Sequence, residues 1–162
     1  MNPQEQVVAH LRRLGADHEI VPCDPALADT AAFCEAYGYS PDDSANTIIV
    51  VGKGEVPRPV ACVVLASTRL DVNGVVRKRL EVRKASFASA DETMELTGME
   101  IGGVTAFALP DGLPIWVDAA VMARERIILG GGSRSIKVLT PPSTLTNVDG
   151  VTVIDGLARA RE

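Results

Sequence analysis

Two glycine clusters and one carboxylate are the residues whose type and spacing could do chemistry in this chain: Gly102-Gly103, Gly130-Gly131-Gly132 and Asp118. Paired glycines at a strand entrance let a backbone turn sharply or let another group approach closely. Gly102-Gly103 stands just before an apolar run, Val104 to Leu109. The triple glycine continues as Ser133-Arg134-Ser135. It has neither GxxxxGKS nor GxGxxG spacing and leads into a strand, so no helix N-terminus points at a phosphate and a nucleotide loop is rejected. Two readings remain for it. One is a tight connection between strands, which the residues alone favour; the other is a ring of backbone amides around a small polar group, with Arg134 nearby. Asp118 ends the apolar segment Pro114-Ile115-Trp116-Val117. A carboxylate there must find donors or face a cleft, and capping a helix at 119–125 explains it at least as well as catalysis does.

Other chemistries lack their residues. His10 and His18 have no Ser, Cys or Asp partner in local sequence, so a triad is unsupported, and no metal-ligand spacing occurs. Cys23, Cys34 and Cys62 are widely spaced, odd in number and form no CxxC pair, so neither a disulfide framework nor a zinc site is expected. Each reads as a small hydrophobe rather than a nucleophile. The net charge of -5 argues against broad nucleic-acid affinity. The charge is uneven, however: the run from Arg77 to Lys84 carries five positive residues against Glu81. Such a stretch suits a local phosphate contact, although a solvated face is the commoner fate of a charge run. Aromatic residues make up only 4%, which excludes an array of stacking platforms and leaves recognition of a short end carrying one or two bases.

The elements that must position these residues follow from periodicity and punctuation. A chain of 162 residues reads as one domain, 1–162, able to bury roughly 70% of its unfolded surface. No apolar run is long enough to span a membrane and the N-terminus lacks a signal-peptide pattern, so a cytoplasmic location is expected. Val7, Leu11 and Leu14 give a helix over 3–14 that Gly15 ends. His18–Val21 is a short strand; a second helix starts at Asp29 or Thr30 and stops at Gly38. The β-branched run Ser44–Val51 is a buried strand, paired antiparallel with Val60–Leu65. Asp71 or Asn73 caps a third helix through Leu80, and Val82–Phe87 is a strand. Ser89-Ala90-Asp91-Glu92 is a capping box that opens a helix ended by Gly98. Asp111-Gly112 is a hairpin signal between Val104–Leu109 and Pro114–Val117. Strands at 126–129, 136–139 and 151–154 complete the chain, and the tail from Leu157 is polar. The fold class is therefore α+β: a mixed, mostly antiparallel, barrel-like sheet flanked by helices, rather than a parallel βαβ array.

The runs Leu96-Thr97-Gly98-Met99-Glu100-Ile101-Gly102-Gly103-Val104-Thr105, Leu113-Pro114-Ile115-Trp116-Val117-Asp118 and Leu129-Gly130-Gly131-Gly132-Ser133-Arg134 together resemble the YbaK/ProX family, over roughly residues 16–146. This resemblance implies a mixed β-barrel flanked by helices and an aminoacyl-tRNA deacylase. Members hydrolyse the ester of mischarged tRNA, notably proline tRNA carrying alanine or cysteine, without metal, cofactor or covalent nucleophile. The partners it implies are the acceptor end of an aminoacyl-tRNA and an aminoacyl-tRNA synthetase.

By motif position the resemblance puts Asn46, Gly102, Gly103 and Asp118 at the catalytic centre, with Thr47, Thr105, Gly131, Gly132, Ser133 and Arg134 binding substrate. Backbone amides of the glycine loops would then face charge developing on the ester oxygen. Arg77, Lys78 and Arg79 would meet acceptor phosphates. Two departures stand out. Members carry Lys before the Thr of the first central strand, where this chain has Asn46-Thr47, a neutral amide in place of a cation. Many alanine-editing members have Pro four residues after the first loop glycine, where this chain has Ala106. The first departure raises an alternative: a binding module of the same fold, weakened in catalysis, that recognises aminoacyl-tRNA ends, a free amino acid or a protein.

Overall fold

A computed structural model describes residues 1–161. Helix α1 (Pro3–Arg13) starts where Asn2 accepts a hydrogen bond from the Glu5 amide at 2.8 Å, and it buries Val7 and Leu11 completely. Strand β1 (Glu19–Pro22) and a 3-10 turn at Pro25–Leu27 lead to α2 (Thr30–Tyr37). The β-branched run folds as β2 (Ala45–Gly52) and returns as β3 (Arg58–Leu65), antiparallel in the register Ile48↔Cys62. After β4 (Thr68–Leu70), Asp71 caps a π-helical turn, Val72–Val76, that tightens into α3 (Arg77–Leu80). Strand β5 (Ala85–Phe87) precedes α4 (Ala90–Thr97). The capping box of α4 is formed, with Ser89 and Glu92 exchanging backbone-to-side-chain bonds of 3.0 Å.

The second half contributes β6 (Ile115–Asp118), α5 (Ala119–Met122), β7 (Ile127–Gly130), β8 (Ile136–Thr140), α6 (Ser143–Thr146), β9 (Val151–Ile154) and β10 (Ala158–Ala160). Among the described residues the strands form three sheets, ordered β5-β2-β3-β6-β9, β1-β8-β7 and β10-β4. Pairing is antiparallel except at β3–β6 and β6–β9. The sheet is mixed and open rather than a closed barrel. No helix among the described residues is long and apolar enough to cross a membrane.

One expected hairpin is absent. Residues 104–109 are irregular, and β6 pairs in parallel with β3 and β9 rather than with them. The run is apolar because it plugs the core: Ala106 and Phe107 are fully buried. Its backbone is held from elsewhere, the Ala108 amide donating to His10 Nδ1 at 2.8 Å. The polar tail after Leu157 forms a further strand, β10, against β4.

Alternation along β2 divides the core. Ile49 joins a cluster with Ala61, Val63 and Val117, whereas Val50 joins Cys62, Leu80 and Ile154 on the opposite face. The first of these faces carries the site.

Candidate active site

A gap in the edge of β2 sets the position of the site. Residues 50–52 of β2 pair with β5, and the Ala88 amide reaches the Ile49 carbonyl at 2.9 Å. At the other end, Ser44 bridges to Ile128 of β7. Between these contacts, no strand among the described residues covers Asn46–Ile48 on that edge. The Ala66 amide bonds the Ser44 carbonyl, so even-numbered residues of β2 direct their peptide groups to β3 and odd-numbered ones to the opposite edge. The peptide N–H and C=O of Thr47 therefore open on the gap.

A cavity of about 220 Å³ fills this gap. Its walls are Ala45–Ile49 of β2, the loop at 28–30, Ile101, Gly102 and Val104 of the glycine loop, Ala88, Thr93, Gly130 and Lys137. This is small against the roughly 300–1,000 Å³ of drug-sized sites and suits one small group. Thr47 is a wall residue, and its buried hydroxyl has no hydrogen-bond partner among the described residues. The Asn46 carbonyl oxygen accepts from the Thr30 hydroxyl at 2.7 Å, which assigns its NH₂ as a donor.

Two cations from the β7–β8 hairpin tie the walls together. Arg134, in the turn, donates to the Pro25 carbonyl at 2.9 Å, to the Ile101 carbonyl at 2.7 Å and to the Asp29 carboxylate at 3.0 Å. The bond from Arg134 holds Asp29 below the usual carboxylate range. Lys137 is buried and donates to the Ala28 carbonyl at 2.6 Å and the Gly102 carbonyl at 2.9 Å. Its ammonium lies 5.4 Å from the centre of the Phe33 ring. Burial lowers its pKa, outweighing the opposing pull of Cys23 and Asp29. Both side chains thus join the segment 25–29 to the glycine loop. Position 102 must be glycine, because its φ is +93° and Arg134 Nη1 occupies the place of a Cβ.

The two glycine bends meet, in a different manner from that expected. The Gly132 amide donates to the Gly103 carbonyl at 2.8 Å, and the Gly103 amide donates to the Glu100 carbonyl at 2.9 Å. The Gly103 amide is therefore occupied by its own turn. Gly102 lines the cavity; Gly103, Gly131, Gly132 and Ser133 do not. Ser133 instead bonds Gln4 on α1 at 2.6 Å, and Gly131 and Gly132 pack against Ile136, Pro3 and Val7. Thr105 is fully buried with an unpartnered hydroxyl and is outside the cavity walls.

Asp118 is not brought to the cavity. Val117 faces the cluster of Ile49 and Val63, so alternation turns Asp118 to the other face of the sheet. Burial raises its pKa, and the amides of Ala158, Leu157 and Ala119 around it pull the other way. Arg77, Lys78 and Arg79 lie on α3, which packs through Leu80 on that same far face. The three cysteines are buried and free, and burial pushes the Cys62 thiol up to about 12, far from a thiolate at neutral pH. Lys137 is the wall residue that sequence reasoning misses: one lysine between Ile136 and Val138 has the pattern of any outward-facing strand residue.

A cavity with unpartnered polar groups and no cysteine, serine or histidine in its walls fits the comparison with known proteins. Residues 24–147 match the aminoacyl-tRNA editing domain. The chain belongs to this family, the YbaK/ProX type of editing domain. It is 23% identical over 142 residues to the uncharacterized protein YwhH of Bacillus subtilis (strain 168), covering 88% of each chain. Among solved structures, hypothetical protein APE2540 superimposes with a TM-score of 0.81 at 26% identity, over 93% of this chain and 97% of that one. A protein named as a candidate trans-editing enzyme for prolyl-tRNA synthetase gives 0.82 at 21% identity over 99% of both, a likeness of fold. The editing-domain fold accounts for the mixed sheet, and the matching family is one of aminoacyl-tRNA editing domains.

Proposed function

We propose that this editing domain hydrolyses the ester of a mischarged aminoacyl-tRNA in trans, with proline tRNA carrying alanine or cysteine as the substrate class. The observation that carries the reading is the cavity at the uncovered edge of β2. It accepts one small aminoacyl group and presents unused hydrogen-bonding groups to it.

The roles follow from where those groups lie. The α-ammonium of the substrate is received by the Thr47 carbonyl and the Asp29 carboxylate at the mouth. The Thr47 amide faces the ester oxygen, where negative charge develops as water attacks. The Asn46 NH₂ and the Thr47 hydroxyl orient the water and the terminal ribose. Water attacks the ester directly in this reading, so no covalent intermediate is formed. Arg77, Lys78 and Arg79 provide a phosphate contact for the acceptor stem. A synthetase that charges the same tRNA is the partner such an activity would serve.

Deacylation of a panel of charged tRNAs tests this. Rapid loss of alanine or cysteine from proline tRNA, with correctly charged tRNA spared, is the expected result. Stable esters across the panel, together with measurable tRNA binding, would instead establish the binding module that Asn46 raises.

A further inference from the structure

Lys137 has a donor left over. An ammonium carries three N–H groups. Two are occupied by the Ala28 and Gly102 carbonyls, and both of those residues line the cavity. The lysine itself is 7% exposed, and the Phe33 ring 5.4 Å from its ammonium offers no lone pair to the third N–H. Burying an ammonium without full pairing is costly. No carboxylate among the described residues bonds it; Asp29, the acidic residue of the cavity walls, is paired with Arg134. Lys137 is also the only basic residue of the walls among the described residues.

A strut between two loops could be built from a neutral donor such as glutamine. A cation with a vacant donor at the wall of a cavity is better suited to an acceptor that becomes negative. Thr47 and Asn46, the polar residues of β2, are both neutral, so no other group in the walls supplies positive charge. Resting on the deacylase reading above, we infer that Lys137 is a catalytic residue whose third N–H meets the carbonyl oxygen of the aminoacyl ester. Water adds to the ester carbon, the bond from that carbon to the ribose oxygen breaks, and the ribose oxygen leaves with a proton from the water. Lys137 keeps its proton throughout and contributes charge alone. In this chain the cation of the site reaches it from β8.

Single-turnover deacylation of the best substrate, comparing the parent with Lys137→Met, tests the assignment. A drop of about 30-fold or more in the rate at saturation, with KM changed less than about threefold, is expected, because the contact strengthens as the oxyanion forms. Placing a lysine on β2 by Asn46→Lys in the Lys137→Met background should recover at least about tenfold of that fall. A purely structural lysine would lower Tm without this fall in kcat, and Asn46→Lys would not rescue it; either result overturns the assignment. Where Lys137→Met does not fold, the Nζ resonance of Lys137 in the parent decides. A shift with a non-hydrolysable 3′-aminoacylamido-adenosine and none with adenosine supports the contact, and an unmoved resonance with both overturns it. Inactivity of the parent on every charged tRNA would defeat the deacylase reading itself, whereas equal rates in parent and Lys137→Met defeat only the role of Lys137.

Discussion

The two faces of the central sheet use their polar groups in opposite ways. On the far face, polar groups are taken up by the fold. Asp118 sits among three backbone amides, Arg77 reaches the carbonyls of Asn73 and Val82, Arg58 bonds the Leu80 carbonyl, and Asp71 holds both the Gly74 amide and Arg159. On the cavity face, capacity is left over: the Thr47 hydroxyl has no partner, its peptide groups open on an uncovered edge, and Lys137 has one N–H in reserve. Folding normally satisfies buried polar groups. Groups left unsatisfied around one small cavity therefore mark where a ligand completes the hydrogen bonding. The carboxylate that is conspicuous in the sequence belongs to the first face, and the lysine that is inconspicuous belongs to the second.

Substitutions that disturb the walls should break this contrast most severely. Gly102→Val forces a β-branched side chain into positive φ and into the path of Arg134, displacing the glycine loop from Ala28 and Asp29. Turnover is expected to fall about 100-fold, the scale of a loop misplaced by an ångström; unchanged turnover in a folded variant would remove this loop from the site. Thr47→Val keeps the side-chain shape while deleting the unpartnered hydroxyl. A fall of roughly tenfold in deacylation, with Tm unchanged or raised, is expected, since the group contributes nothing to the folded state alone. A drop in Tm instead would show that this hydroxyl serves the fold.

The far face should respond in stability. Asp118→Ala strands the surrounding amides and is expected to cost about 1–3 kcal/mol in denaturant unfolding. A collapse of turnover at full stability would return Asp118 to the catalytic centre. Replacing Arg77, Lys78 and Arg79 together by Ala should weaken tRNA affinity and flatten its salt dependence by roughly one unit of slope for each phosphate no longer neutralised. Identical binding curves would make α3 a plain solvated face. The smallest effect concerns His10, whose pKa is lowered from 6.5, chiefly by burial, with Arg13 adding to it. Its Nδ1 accepts from Ala108, so the neutral ring is the folded form. The unfolded chain then binds the proton more tightly, and stability present above about pH 6.5 is lost progressively as pH falls below it. A melting temperature flat between about pH 7.5 and pH 5.5 would contradict this.

Much of the scaffold is legible without coordinates because its causes are local. The spacing of Val7 and Leu11 marks α1, the Ser89–Glu92 box starts α4, glycines end α2 and α4, and β-branched residues mark β2 and β3. The run 104–109 reads as a strand and is none, because periodicity reports that a segment is buried, not what covers it; a core plug and a central strand are equally apolar. Parallel pairing of β6 with β3 and β9 is likewise hidden, since it joins segments distant in the chain and leaves no trace in either. Of the site, the motif residues point to Asn46, Thr47 and Gly102, which do share the cavity. The other glycines in those motifs pack loops together.

What the sequence determined by itself is most of the helices and strands, and the family through its motifs, because caps, turns and β-branched runs act over a few residues. The tertiary structure alone decided which polar groups remain unsatisfied. That depends on which strand edge stays uncovered and which side chain from a distant hairpin reaches it, and neither Thr47 nor Lys137 carries a local signal of being left with a hydrogen bond to make.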